Sequence, residues 1–235
     1  MDEIIIKSGK TFRSMLLAAG HDAPELTGSG ICGFDVLSGR EFSTHVVLEE
    51  NASADIPVLI MPGADTRMDF RIELAGPGAS CRLFGLYLCP DTENVTINVE
   101  LFHRVHHCSS HQLFKGIVSG KARTGFYGRI VVDPDAQVTE AYQENHNLLL
   151  SDTARVDTQP QLEIYADDVK CSHGATIGKL NEDEQFYMRS RGIPENEAKV
   201  LQMVSFISSV LDILPEGNGR EKLAAYVEHA VRTSF

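Results

Sequence analysis

Residues 95–107 read Val-Thr-Ile-Asn-Val-Glu-Leu-Phe-His-Arg-Val-His-His. Val95, Ile97, Val99, Leu101, His103, Val105 and His107 alternate with Thr96, Asn98, Glu100, Phe102, Arg104 and His106. A period of two marks a half-buried strand, here with two histidines on its mostly apolar face. The alternation recurs upstream at Met68, Phe70, Ile72 and Leu74, interleaved with Asp69, Arg71 and Glu73. Runs of this kind begin near residues 67, 81, 95, 111 and 125, with glycines in the intervals. Short strands at even spacing predict a sandwich, a barrel or a β-solenoid, and the spacing alone does not choose among them.

Outward from this core the pattern changes at both ends. Residues 1–25 read as an N-terminal segment, with a short helix expected over residues 11–19 and stopped by Gly20. The β part is expected over residues 26–180. Beyond it the period becomes helical, giving a C-terminal helical domain over residues 181–235. Asn181 with Glu184 resembles a capping box, and a helix through Phe186, Tyr187 and Met188 should stop at Gly192. Pro194 sits where a first helical turn accepts proline, followed by Glu195 and Glu197. Val200, Val204, Ile207 and Leu211, then Leu223, Tyr226, Val227 and Ala230, mark two further helices, separated by a turn at Pro215.

Composition limits the function classes. The 235 residues carry 21 Lys and Arg against 33 Asp and Glu, a formal charge of −12. So acidic a chain lacks the basic footprint of a nucleic-acid binder and the polybasic segment that holds a protein on an anionic membrane. No apolar run approaches the ~18 residues of a membrane helix, and the opening MDEIIIKSGK is not that of a signal peptide. Five cysteines stand at 32, 81, 89, 108 and 171 with no CxxC pair. They are expected to be reduced thiols of a cytoplasmic protein.

Four motifs bear on chemistry. Gly28-Ser-Gly-Ile-Cys-Gly33 matches a dinucleotide fingerprint, but neither flank supplies the strand and helix that the fingerprint needs, so a glycine-rich turn is expected. Ser8-Gly-Lys-Thr11 ends like a phosphate loop without its leading glycine and is rejected. The stretch from His103 to His111, with His106, His107 and Cys108, is the densest set of metal-type ligands. On one continuous strand His103 and His107 face opposite to His106 and Cys108, so a single metal site from all of them needs a strand break near Ser109 and Ser110. His103 is the metal-ligand candidate kept from this set. Cys171 and His173 are two apart and share a strand face, where thiol and imidazole could bind iron or form a nucleophilic dyad. A small buried cysteine beside a surface histidine is the competing structural account.

Three stretches carry a resemblance: SSHQLFKGIVSGKARTGFYGRIVV from residue 109, AYQENHNLLLSDTARVDTQPQLEIYADDVKCSHGATIGKL from residue 141, and EQFYMRSRGIPENEA from residue 184. They resemble the SufB/SufD family of iron–sulfur cluster assembly proteins, and the wording DDVKCSHGAT is SufD-type. The resemblance implies a mainly β fold, a right-handed parallel β-helix with a small C-terminal α-helical domain, in a short member lacking the usual N-terminal helical region. It implies a non-catalytic subunit that binds a SufC-type ABC ATPase and a SufB-type partner, and a homodimer through the β-helix when isolated. The nascent iron–sulfur cluster would be transient and shared with a partner, with nothing tightly bound to the isolated chain. Cys171 and His173 map onto the cluster-associated segment. Phe186, Tyr187, Arg189, Arg191, Gly192 and Ile193 map onto the region leading into the ATPase contact. Three other readings stand beside it: a structural β-helix protein that partners an ATPase without a cluster, a Cys171–His173 hydrolase, and a transporter component, which the lack of an apolar span disfavours.

Overall fold

A computed structural model describes residues 2–18 and 35–235. The Gly28–Gly33 motif, Cys32 and the expected start of the β part at residue 26 lie outside the described residues. The described strands are β1 (Asp2–Ile6), β2 (Thr11–Ala18), β3 (Asp35–Ser38), β4 (Glu41–Leu48), β5 (Ser53–Ile60), β6 (Thr66–Leu74), β7 (Ser80–Cys89), β8 (Asn94–His103), β9 (Ser109–Val118), β10 (Arg123–Val132), β11 (Thr139–Leu149), β12 (Arg155–Ile164) and β13 (Val169–Gly178). Three helices follow: α1 (Glu182–Ser190), α2 (Glu195–Leu211) and α3 (Asn218–Ser234).

The strands stack as a parallel β-solenoid. One sheet runs β1-β4-β6-β8-β10-β12 and the other β13-β11-β9-β7-β5-β2-β3, so each coil gives one strand to each sheet and β3 adds an edge strand beside β2. Every recorded strand pairing is parallel. The helix expected over residues 11–19 is instead strand β2, which pairs with β5 and β3. Its coil-mate β1 pairs with β4.

Two apolar cores explain the sequence pattern. The first fills the solenoid bore with the inward residues of both sheets, among them Leu16, Val46, Val58, Ile72, Leu83, Ile97, Phe114 and Phe126. The second lies outside the β2–β5–β7–β9 face. There Met15, Leu17, Leu59, Phe84, Leu86, Leu88 and Ile117 meet Met203, Ile207, Val210 and Leu211 of α2 and Leu223, Val227 and Val231 of α3. Full burial of each such side chain is worth about 1.5–3 kcal/mol, so the helical hairpin is an integral layer on that sheet. Polar ties lock it: Lys115 Nζ donates to the Phe206 carbonyl at 2.8 Å, and Arg232 of α3 grips Glu197 of α2 at 2.7 Å.

One corner of the solenoid repeats a backbone device. Gly9, Asn51, Gly78, His107 and Val138 all have positive φ, of 67°, 53°, 74°, 60° and 57°. Each lies at the same place in its coil, since Thr11 registers with Ser53, Ser53 with Ser80, Ser80 with Ser109 and Ser109 with Glu140. The left-handed residue turns its N–H along the stack. Asn51 donates to the Pro77 carbonyl at 2.9 Å, His107 to that of Gln137 at 3.0 Å, and Val138 to that of Asp168 at 2.6 Å. A Cβ on Gly78 would press on the Asn51 side-chain oxygen at a positive φ, so glycine is favoured there.

Candidate functional site

The terminal coil, β12 and β13, is where chemistry and exposure coincide. Both strands end their sheets, so each has one uncovered edge. Ile164 and Ile177 stand at inward positions yet are 41% and 48% exposed, because no further described coil covers them. Tyr165 beside them is 60% exposed. The apolar bore therefore runs out into an open end.

Cys171 and His173 alternate on β13 and do share its inward face. Cys171 registers with Ala141 and packs against the bore. Burial pushes its thiol pKa up, which keeps it protonated in the isolated chain. His173 registers with Gln143 and is exposed. Its Nδ1 lies 3.1 Å from the Pro160 carbonyl oxygen of β12. A carbonyl can only accept, so Nδ1 carries the proton and the Nε2 lone pair is left free. That is the arrangement by which a backbone carbonyl orients a ligating imidazole.

Behind His173 the bore changes character. One inward row runs Ile56, Leu83, Gln112, Gln143, His173, apolar first and polar as it nears the open end. Gln143 Nε2 donates to Gln112 Oε1 at 2.9 Å. Asn145, Asn147 and Tyr87 close a buried ring: Asn145 donates to the Tyr87 hydroxyl, Tyr87 to Asn147 Oδ1 and Asn147 to Asn145 Oδ1. Gln112 Nε2, Gln143 Oε1 and Thr158 Oγ1 remain buried without a partner in the protein. Sequence reasoning missed this polar interior. Its signal was the amide series Gln143, Asn145, Asn147 at alternate positions, which reads equally well as a solvent face.

The histidine cluster is split by the fold. The strand ends at His103 rather than near Ser109 and Ser110, and residues 104–108 form the corner. His103 is fully buried, with Nε2 2.8 Å from Ser110 Oγ. Burial pushes its pKa down to about 4. His106 and His107 are exposed together on the corner, and His111 stands on the outer face of β9 against Tyr142. Among the described residues no three His, Cys, Asp or Glu side chains are placed to share one metal ion. Cys81, Cys89, Cys108 and Cys171 are free thiols.

Asn181 caps α1 by accepting from the Asp183 and Glu184 amides, as its spacing predicts. The helix buries none of its residues. Phe186 is 73% and Tyr187 59% exposed, and the Arg191 guanidinium lies 4.9 Å from the Tyr187 ring centre. Arg189 pairs with Glu195 across the bend made at Gly192, whose φ is 88°. Ile193 is half-buried just after it. These residues form one exposed aromatic and basic patch on an otherwise acidic chain. Among the described residues no helix is long and apolar enough to cross a membrane.

A family model described as the SUF system FeS cluster assembly, SufBD core domain, matches residues 41–206. The chain is 37% identical over 191 residues to the iron–sulfur cluster assembly protein SufD of Escherichia coli, covering 81% of this chain and 45% of that protein. It is 25% identical over 217 residues to the SufD protein of Bacillus subtilis, covering 84% and 50%. A SufBD family protein of Synechocystis is 48% identical over 109 residues, covering 46% and 24%. The chain thus spans about half the length or less of these curated relatives.

Proposed function

The chain belongs to the SufB/SufD family of iron–sulfur cluster assembly proteins, and from that premise we propose that it is a non-catalytic, SufD-like scaffold subunit in the cytoplasm. Its open terminal coil pairs with a SufB-type subunit, or with a second copy when the chain is alone. The nascent cluster, the cargo of the assembly, forms at that pairing surface. His173 offers Nε2 to iron, and most thiolates come from the partner. An imidazole in place of one thiolate lowers the negative charge on the cluster and suits a cargo that must leave. Cys171 is protonated and half-buried at rest, the wrong state for a nucleophile, and becomes a ligand only when the coil end is rearranged. The Phe186–Tyr187 patch with Arg189, Arg191, Gly192 and Ile193 is the contact for a SufC-type ABC ATPase. ATP-driven association of two ATPases would bias the paired solenoids between closed and open arrangements through differential contacts.

The observation that carries this reading is the His173 imidazole, held by the Pro160 carbonyl with its free nitrogen at an uncapped apolar end. The test is anaerobic co-purification of the chain with a SufB-type and a SufC-type protein. A complex containing iron and sulfide, with both depleted by His173→Ala and the complex itself intact, is expected. Iron and sulfide unchanged in His173→Ala would remove His173 from the role. A stable complex with no iron in the wild type would leave a structural partner of the ATPase.

A further inference from the structure

We infer that His106 and His107 form a surface site for a divalent first-row cation, bound through the two imidazole Nδ1 atoms. Successive side chains on an extended strand point to opposite faces. Here the corner replaces the strand, and His107 takes φ +60°. Both imidazoles are exposed. Their Nδ1 atoms are 2.7 Å apart, with ring centres at 4.9 Å and planes at 85°. At the equivalent places in other coils the left-handed conformation falls to Gly9, Asn51, Gly78 and Val138. At His107 this turn sets a second imidazole beside the first.

The separation selects the geometry. With metal–nitrogen bonds of about 2.0–2.1 Å, two ligands at a right angle are about 2.9 Å apart and two at a tetrahedral angle about 3.3 Å apart. The observed 2.7 Å is a hydrogen-bond distance, and the right-angle value is the nearer one, reached by opening the pair slightly and turning both lone pairs toward the ion. The site therefore favours octahedral or tetragonal cations such as iron(II), nickel(II) or copper(II), for which imidazole is a fitting ligand. In the metal-free pair one Nδ1–H donates to the other Nδ1. On binding, that ring carries its proton on Nε2 instead, so both lone pairs face the ion and no net proton is released. Among the described residues no third ligand completes the set, so water fills the remaining positions and the ion exchanges easily. The corner belongs to the β8–β9 coil, two coils before β13, and the inference does not depend on the assembly role.

Nickel(II) titrated calorimetrically into the untagged full chain tests it. One ion per chain is expected, with affinity lowered at least about tenfold in His106→Gln and in His107→Asn, the scale on which even supporting groups of metal sites act. Asn is chosen because Asn51 occupies the same place in an earlier coil, and His107→Gly serves if Asn fails to fold. His111→Asn should bind as the wild type does. Cobalt(II) bound at the pair should show weak octahedral absorption. Unchanged nickel binding in the His106→Gln/His107→Asn double variant, no binding by the wild type, or intense tetrahedral cobalt bands would each overturn the inference.

Discussion

His103 sits at 0% exposure with only Ser110 as a partner, and its pKa falls from 6.5 to about 4. In the unfolded chain it takes a proton as pH falls through about 6.5, while in the folded chain it stays neutral down to about 4. Between those values the unfolded state binds more protons, so stability falls as pH falls and is unaffected by this group above about 6.5. At 1.36 kcal/mol per pKa unit the loss approaches roughly 3 kcal/mol at the acid limit. Denaturant titrations at pH 7 and pH 4.5 should therefore show a smaller acid loss in His103→Gln than in the wild type. Equal losses would place the burial cost elsewhere. Val138 makes the opposite case. It is β-branched, 46% exposed and at φ 57°, so its side chain contributes little packing while its backbone is strained. Val138→Asn, which copies Asn51 of the same corner, should gain about 1 kcal/mol, and raise Tm by about 2–4 °C in a chain of this size. A lower Tm would show that the Val138 side chain holds the corner by contacts that outweigh the strain.

At the scale of elements, stacking depends on where small residues let neighbouring rows close. Gly116 of β9 lies between Tyr87 of β7 and Asn147 of β11, and a Cβ there would overlap the Tyr87 ring. Gly116→Ala must displace a fully buried tyrosine from its ring of hydrogen bonds, at a cost of about 1–3 kcal/mol or more. Adding Tyr87→Leu should recover part of that loss, and a double-mutant cycle reads the coupling. Simple additivity would mean that the strain lies elsewhere. The same packing explains what the sequence disclosed. β6 and β8 were legible because one face meets the bore and the other meets water, so alternation survives. β2 was not. Leu16 and Ala18 face the bore while Met15 and Leu17 lie under the helices, so burial on both faces erased the period of two and the apolar run read as helix. The α1 cap was legible because Asn181 acts within three residues. The polar bore was not, because only the stacking of coils brings its residues together, and the paired corner imidazoles were not, because strand-like alternation hides the left-handed turn at His107 that sets adjacent rings side by side.

At the scale of the molecule, the solenoid is capped unequally. The β2–β9 face is closed by α2 and α3, whereas the bore ends at Ile164 and Ile177 with apolar side chains in water. A stacked repeat whose last coil keeps core residues at core positions calls for something to cover them. In the proposed reading partner and cargo would meet at that end beside His173, while the Phe186 patch would serve a different partner. These roles separate experimentally. Lysine at positions 164 and 177 should cost the isolated chain little, since both places are already solvated, and exposed substitutions usually stay within about 0.5 kcal/mol. Once a partner covers them the same charges must be desolvated without a counter-ion, which is strongly unfavourable. Ile164→Lys/Ile177→Lys should therefore melt like the wild type. It should run as a monomer by light scattering and fail to retain a SufB-type partner, yet still bind the ATPase. Phe186→Lys should show the reverse, pairing intact and ATPase binding lost. A doubly substituted chain that still paired would move the interface away from the terminal coil, and His173 would then lose the shared surface on which its proposed role depends.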